Sequence, residues 1–212
     1  TTAVPPADPA AVTRISSTSS PPCPSGIRST GRTRTSSTCT PIAIAFKLPR
    51  DQTELLQHNL MRHLSCATGQ ALPGDVVRAA MLLRLVAFAK GCSAVRPELV
   101  EALAALANRG LAPVVPRYGS VGASGDLMPS AYLARPLVGM GEVDYGSRRM
   151  PAAEALGAAG LEPLRLAPKE GLALINGTTM MTAVAALLWA DTGRVLRALL
   201  QALALSVEAL AA

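Results

Sequence analysis

A chain of 212 residues is long enough for one core of ordinary size, or for one domain with an attached tail. Hydrophobic residues make up 50% of it and aromatics only 3%, a balance of Ala, Leu and Val that points to a mainly α domain packed on small side chains. The formal charge of +6 does not by itself make a nucleic-acid binder: aromatics for base stacking are nearly absent and no nucleic-acid-binding motif occurs, so the basic balance reads as solvated surface.

Residues 1–45 are rich in Ser, Thr, Pro, Arg and Ala, contain no leucine, and set Arg14, Arg28, Arg32 and Arg34 against the single acid Asp8. Nothing there recurs with helical or strand period, and the segment reads as an irregular or disordered tail. No basic start followed by an apolar run marks a secretory signal. Cys23, Cys39, Cys66 and Cys92 have neither zinc-site spacing nor the density of a disulfide scaffold, so reduced thiols, no metal and a cytoplasmic location are expected.

A boundary falls near Ala45 to Leu48, and the second domain is taken as residues 46–212. Leu55, Leu56, Leu60, Met61 and Leu64 open it at helical spacing. The next helix is expected from Asp75 to about Lys90, with Val76, Met81, Leu82 and Leu85 inward and Gly91 ending it. A third is expected from about Pro97 to Asn108, with proline suited to its first turn. Leu111 to Pro116 reads as extended, because its prolines lack the donor that a helix or central strand needs. After the glycine-rich turn Gly119 to Gly125, helices are expected from Pro129 to about Val138, Pro151 to Gly160, and Thr178 onward. The last carries Asp191, Arg194, Arg197 and Glu208, charges that hydrocarbon would not accept, so it reads as a buried helix and not a membrane span. Its pattern is still apolar at Ala212, as in a truncated chain.

An isolated Ala-Ser-Gly carries no information, and a glycine-rich turn alone is a loop before a helix. Here the eight residues Gly119 to Asp126 sit in the run PVVPRYGSVGASGDLMPSAYLARPLVGMGEV from Pro113 to Val143. Flanking blocks accompany it in order: LQHNLMRHL at Leu56 to Leu64, AKGCSAVRPELVE at Ala89 to Glu101, and KEGLALINGT at Lys169 to Thr178. Together they resemble the aromatic amino acid ammonia-lyase family, which includes histidine ammonia-lyases and the related aminomutases.

That resemblance implies the helical fold of the family with its glycine-rich turn. It also implies an electrophilic cofactor, 4-methylidene-imidazole-5-one (MIO), formed when Ala123, Ser124 and Gly125 cyclise and lose two waters. The residue types suit the chemistry: the missing Cβ of Gly125 and the small side chain of Ala123 let the Gly125 nitrogen reach the Ala123 carbonyl carbon, and Ser124 loses its hydroxyl to become a methylidene. A built-in electrophile supplies what ordinary side chains lack. Asn176 would lie near the carboxylate and amino group of the substrate, its amide offering donor and acceptor; alternatively it is only part of a helix-stop Asn-Gly turn. Asp126 would support ring formation, or serve as a helix N-cap. His63 and Leu64 would read the substrate ring. His-Leu at that place resembles tyrosine-type enzymes, since imidazole can hydrogen-bond a phenol, although a lone histidine on an amphipathic helix is also an ordinary surface residue.

The implied activity is release of ammonia from tyrosine, or from phenylalanine or histidine, to give an α,β-unsaturated acid. The implied partners are an aromatic amino acid and, in the full-length family, copies of the same chain in a homotetramer. A 2,3-aminomutase uses the same parts, and an inactive remnant or interaction subunit is the reading from another class. The family's catalytic base, a tyrosine in a Tyr-Gly loop before the first block, has no counterpart, because no tyrosine precedes Tyr118. Residues 1–45 resemble no part of the family, and the chain covers less than half of a family member. Pro136 falls where the family has a continuous helix behind the turn, and an interior proline there would kink it.

Overall fold

The computed structural model describes residues 52–121 and 125–211; the tail, Ala123 and Ser124 lie outside them. Helices α1 (Thr53–His63), α2 (Gly74–Ala89) and α3 (Pro97–Asn108) come first. They follow the apolar spacing and end where their stop signals stand. Pro97 occupies the first turn of α3, and past its end the Leu111 N–H donates to the Leu106 carbonyl at 3.1 Å while Gly110 takes φ +73°, a left-handed stop that glycine adopts without a Cβ penalty.

Strand β1 (Thr68–Ala71) lies between α1 and α2, and β2 (Ala112–Pro113) and β3 (Pro116–Tyr118) follow α3. β1 pairs antiparallel with β3, Thr68 opposite Tyr118 and Ala71 opposite Pro116. β2 pairs with β4 (Glu142–Tyr145), which turns through Gly146 and Ser147 into β5 (Arg148–Pro151), giving a sheet in the order β2-β4-β5. The extended reading of Leu111 to Pro116 was right, but the β4-β5 hairpin was not foreseen. Between the two sheets runs α4 (Leu127–Ala134), continued by a 3₁₀ turn at Arg135–Val138. Pro136 therefore sits at the start of that turn, where its missing N–H costs nothing, and not inside a helix.

Helices α5 (Ala152–Ala158), α6 (Glu170–Ile175) and α7 (Thr179–Ala211) complete the chain. The core is built around α2, α3, α4 and the first turns of α7, with residues from α1, α5, α6 and the link between β2 and β3, and includes Met61, Met81, Leu103, Val115, Ala131, Leu156, Ile175 and Ala183. Two expectations fail. On α2 the buried stripe is Val77, Ala80, Met81, Arg84, Leu85 and Phe88, spaced at i, i+3, i+4 and i+7. Val76 is thus only half-buried, and Leu82 is 46% exposed because it lies off that stripe. The long helix α7 is covered only at its start: beyond Leu187 its large apolar residues face outward, Trp189 at 82% exposure among them.

Candidate functional site

Strand β3 delivers the chain to Gly119 and the loop that follows. Gly119 is packed so closely that a Cβ there would lie 2.7 Å from the Ala67 Cβ. The far end of the loop rests on the turn between α6 and α7. Gly125 has φ +110°, and a Cβ on it would meet the carbonyl oxygen, carbonyl carbon and nitrogen of Gly177 at 2.5, 2.7 and 3.0 Å. The Asp126 N–H donates to the Gly177 carbonyl at 2.7 Å, so two backbones touch where only glycine permits it.

Asp126 precedes α4, and its carbonyl accepts from the Ser130 N–H at 3.0 Å, but its side chain does not cap that helix. The carboxylate is 6% exposed and spans to another one: Oδ2 accepts from the Met181 N–H in the first turn of α7 at 2.8 Å, and Oδ1 accepts from the Ser120 hydroxyl at 3.1 Å. A negative group at the N-terminus of a 33-residue helix meets the positive end of its dipole. The N-cap reading is corrected to this extent: the helix capped is α7, and the same carboxylate ties down the start of the loop.

Asn176 ends α6, and its side chain is exposed without a hydrogen bond to any described residue. Its carbonyl accepts from Arg84 Nη1 at 2.8 Å. Arg84 escaped the sequence reading because a charged side chain was not expected on the inward stripe of α2, although its spacing with Val77, Ala80 and Met81 carries that signal. It is 5% exposed, reaches the Ala173 carbonyl at 3.4 Å, and lies 5.8 Å from the centre of the Phe88 ring. Burial pushes its pKa down, against which the charge of Asp126 acts.

Helix α6 was not foreseen either, because six residues starting Glu-Gly carry too little period to read. It is held from outside. Glu170, 1% exposed, accepts from Arg96 Nε and Nη2 at 2.9 Å each, from the Arg96 N–H at 3.1 Å and from the Ala167 N–H at 2.7 Å. Burial alone would raise its pKa, but the bonds from Arg96 and Ala167, with the Arg96 charge, hold it below the ordinary carboxylate value. Gln57 on α1 accepts from the Gly171 N–H at 3.0 Å. The first, second and fourth sequence blocks are thereby fastened together around the third.

His63 is exposed in the last turn of α1, and Leu64 packs half-buried on the core. The segment after them runs beside the loop: the Tyr132 hydroxyl donates to the Ala67 carbonyl at 3.3 Å, and the Cys66 thiol lies 3.4 Å from the Met128 sulfur. The fold thus brings Gly125, Asp126 and the Asn176-Gly177 turn into one contact, while His63 makes no hydrogen bond to any of them. No group of three or more His, Cys, Asp or Glu suited to a metal occurs among the described residues.

A helical frame that seats Gly125 and Asp126 on an Asn-Gly turn defines a class, and comparison with known proteins identifies it. The family model for aromatic amino acid lyases matches residues 41–212. Histidine ammonia-lyase from Geobacillus kaustophilus is 52% identical over 157 residues, 74% of this chain and 31% of that protein. Phenylalanine aminomutase from Pantoea agglomerans superposes with a TM-score of 0.67 at 36% identity, covering 69% of this chain and 28% of that one. Tyrosine aminomutase from Streptomyces globisporus gives a TM-score of 0.59 at 42% identity, over 64% of this chain and 25% of that one. The chain belongs to the aromatic amino acid lyase family, and spans about a third of the length of the curated relatives it matches.

Proposed function

We propose that residues 46–212 form the cofactor-bearing part of a MIO-dependent ammonia-lyase, in which Ala123, Ser124 and Gly125 make the ring. The observation that carries this reading is the backbone seat between Gly125-Asp126 and Gly177, which excludes a Cβ at 2.5 Å and so suits a residue whose nitrogen enters a ring. When present, the ring supplies an electrophile for the substrate amine. The chain's own residues then have distinct tasks. Asp126 fixes the loop to the start of α7, the unengaged amide of Asn176 holds the carboxylate and amino group of the substrate, and His63 with Leu64 contacts its ring.

The substrate proposed is tyrosine, whose phenol an exposed imidazole can bond. Histidine is the competing reading, favoured by the name of the 52% identical relative. The two aminomutases among the structural neighbours keep 2,3-migration of the amine as an alternative outcome on the same site. The β proton would be removed by the family's tyrosine base, which the segment before α1 does not contain. An apolar stripe on α7, including Leu188, Val195, Leu199, Leu203 and Leu210, is exposed here and supports assembly with further copies into a homotetramer, for which a cytoplasmic location is proposed.

Intact mass of the purified chain is the test. A deficit of two waters mapped to Ala123 to Gly125 is expected, and a full mass rejects the ring. Assays of ammonia release from tyrosine, histidine and phenylalanine then choose the substrate, and β-amino acid product in place of unsaturated acid selects the aminomutase.

A further inference from the structure

Of the side chains on the inward stripe of α2, Arg84 alone is charged. A buried guanidinium loses solvation, and an apolar side chain of similar volume often gives a fold that is as stable or more so. Arg84 is not engaged as such groups usually are. Among the described residues it has no ion pair, its Nη1 bonds two carbonyls of the last turn of α6, and its buried Nη2 has no partner. Both nitrogens lie against the turn: a Cβ built on Gly177 would be 3.0 Å from Nη1 and 3.2 Å from Nη2.

A helix of six residues does not hold itself in water. Helix α6 is fixed at its start by Gln57 and by the Arg96–Glu170 pair. At its end the described side-chain anchor is Arg84, which places a positive group where unpaired carbonyls collect. The next residue is Gly177, whose carbonyl receives the Asp126 N–H at 2.7 Å. A line of contacts therefore runs from α2 through Asn176 and Gly177 to the residue that follows the ring-forming tripeptide.

We propose that Arg84 is a positioning residue for ring formation, holding the Asn176-Gly177 turn where Gly125 and Asp126 close on it; this rests on the MIO reading above. In that closure the Gly125 nitrogen bonds to the Ala123 carbonyl carbon, whose oxygen leaves as water, and the hydroxyl of Ser124 leaves with its α hydrogen as the second. A misplacement of about 1 Å in such an intramolecular step slows it on the order of a hundredfold.

The test compares the freshly purified whole chain with its Arg84→Met and Arg84→Lys variants by intact mass over time and by urea unfolding. Arg84→Met keeps the stem against Phe88 and gives up the donors, so a folded variant that loses its two waters about a hundredfold more slowly is expected. Arg84→Lys, with a charged donor still able to reach the Asn176 carbonyl, restores most of the dehydration. Three results overturn the proposal: Arg84→Met dehydrating as fast as the native chain, a folded Arg84→Lys that stays at full mass, or dehydration lost in both variants only in step with folding. A native chain at full mass overturns the ring reading and this one with it, which separates the two failures.

Discussion

Replacing Gly125 with alanine places a methyl carbon 2.5 Å from the Gly177 carbonyl oxygen and 2.7 Å from its carbonyl carbon, both backbone atoms. Neither can rotate away, so the turn and the loop must separate. The backbone at φ +110° adds strain of about 1–3 kcal/mol for an L side chain. Opening the contact gives up the 2.7 Å bond from Asp126 to Gly177, about 1 kcal/mol, and forced overpacking costs about 1–3 kcal/mol more. Because these overlap, the expected total is about 3–5 kcal/mol, a large part of ordinary domain stability. Gly146→Ala is the internal control, since it too has positive φ, +61°, but nothing within 4 Å; it should cost only about 1 kcal/mol. With a urea slope of about 2 kcal/mol per molar, the midpoints should fall by roughly 1.5–2.5 M and about 0.5 M. Equal shifts for the two variants would refute the described seat of the loop on the turn.

Asp126→Ala removes the acceptor of the Met181 N–H and should lower stability by about 1–2 kcal/mol, read from thermal melting, while Asp126→Asn keeps an acceptor and should lose less. Glu170 has a pKa held below its unfolded value of about 4.3, so its contribution is complete above that value and is lost as pH falls through the lower folded value. Urea midpoints below about pH 4.3 should therefore drop more steeply for the native chain than for Glu170→Gln, and parallel profiles would contradict the assignment. Ala94 sits at φ +50°, and Ala94→Gly should stabilise by about 0.5–1 kcal/mol after glycine's entropy cost is subtracted. Leu199→Glu with Leu203→Glu on the exposed stripe of α7 should reduce self-association in sedimentation, whereas unchanged association would place the contact elsewhere.

Much of the frame was legible because period and punctuation agree. Helices α1 to α3 follow leucine spacing, Pro97 and Gly110 mark the limits of α3, and the motif blocks point to Gly125, Asp126 and Asn176. The elements that were missed are short or interrupted. α6 has six residues and β1 four, and both depend on partners far along the chain, while β4 and β5 have four residues each, of which only Val143 is buried. Arg84 lies at a spacing that marks it as inward, but its burial as a charged group follows from the turn that packs over it and not from its own character.

The amino-acid sequence alone determined most of the helical segments, α6 excepted, and which chemistry the glycine-rich loop resembles, because both depend on residues near one another in the chain. Only the tertiary structure decided that Asp126 caps α7 and not α4, that Gly125 closes on Gly177, and that α7 is exposed where an apolar run was expected to be buried. Those outcomes depend on which backbone groups and apolar faces meet across long separations.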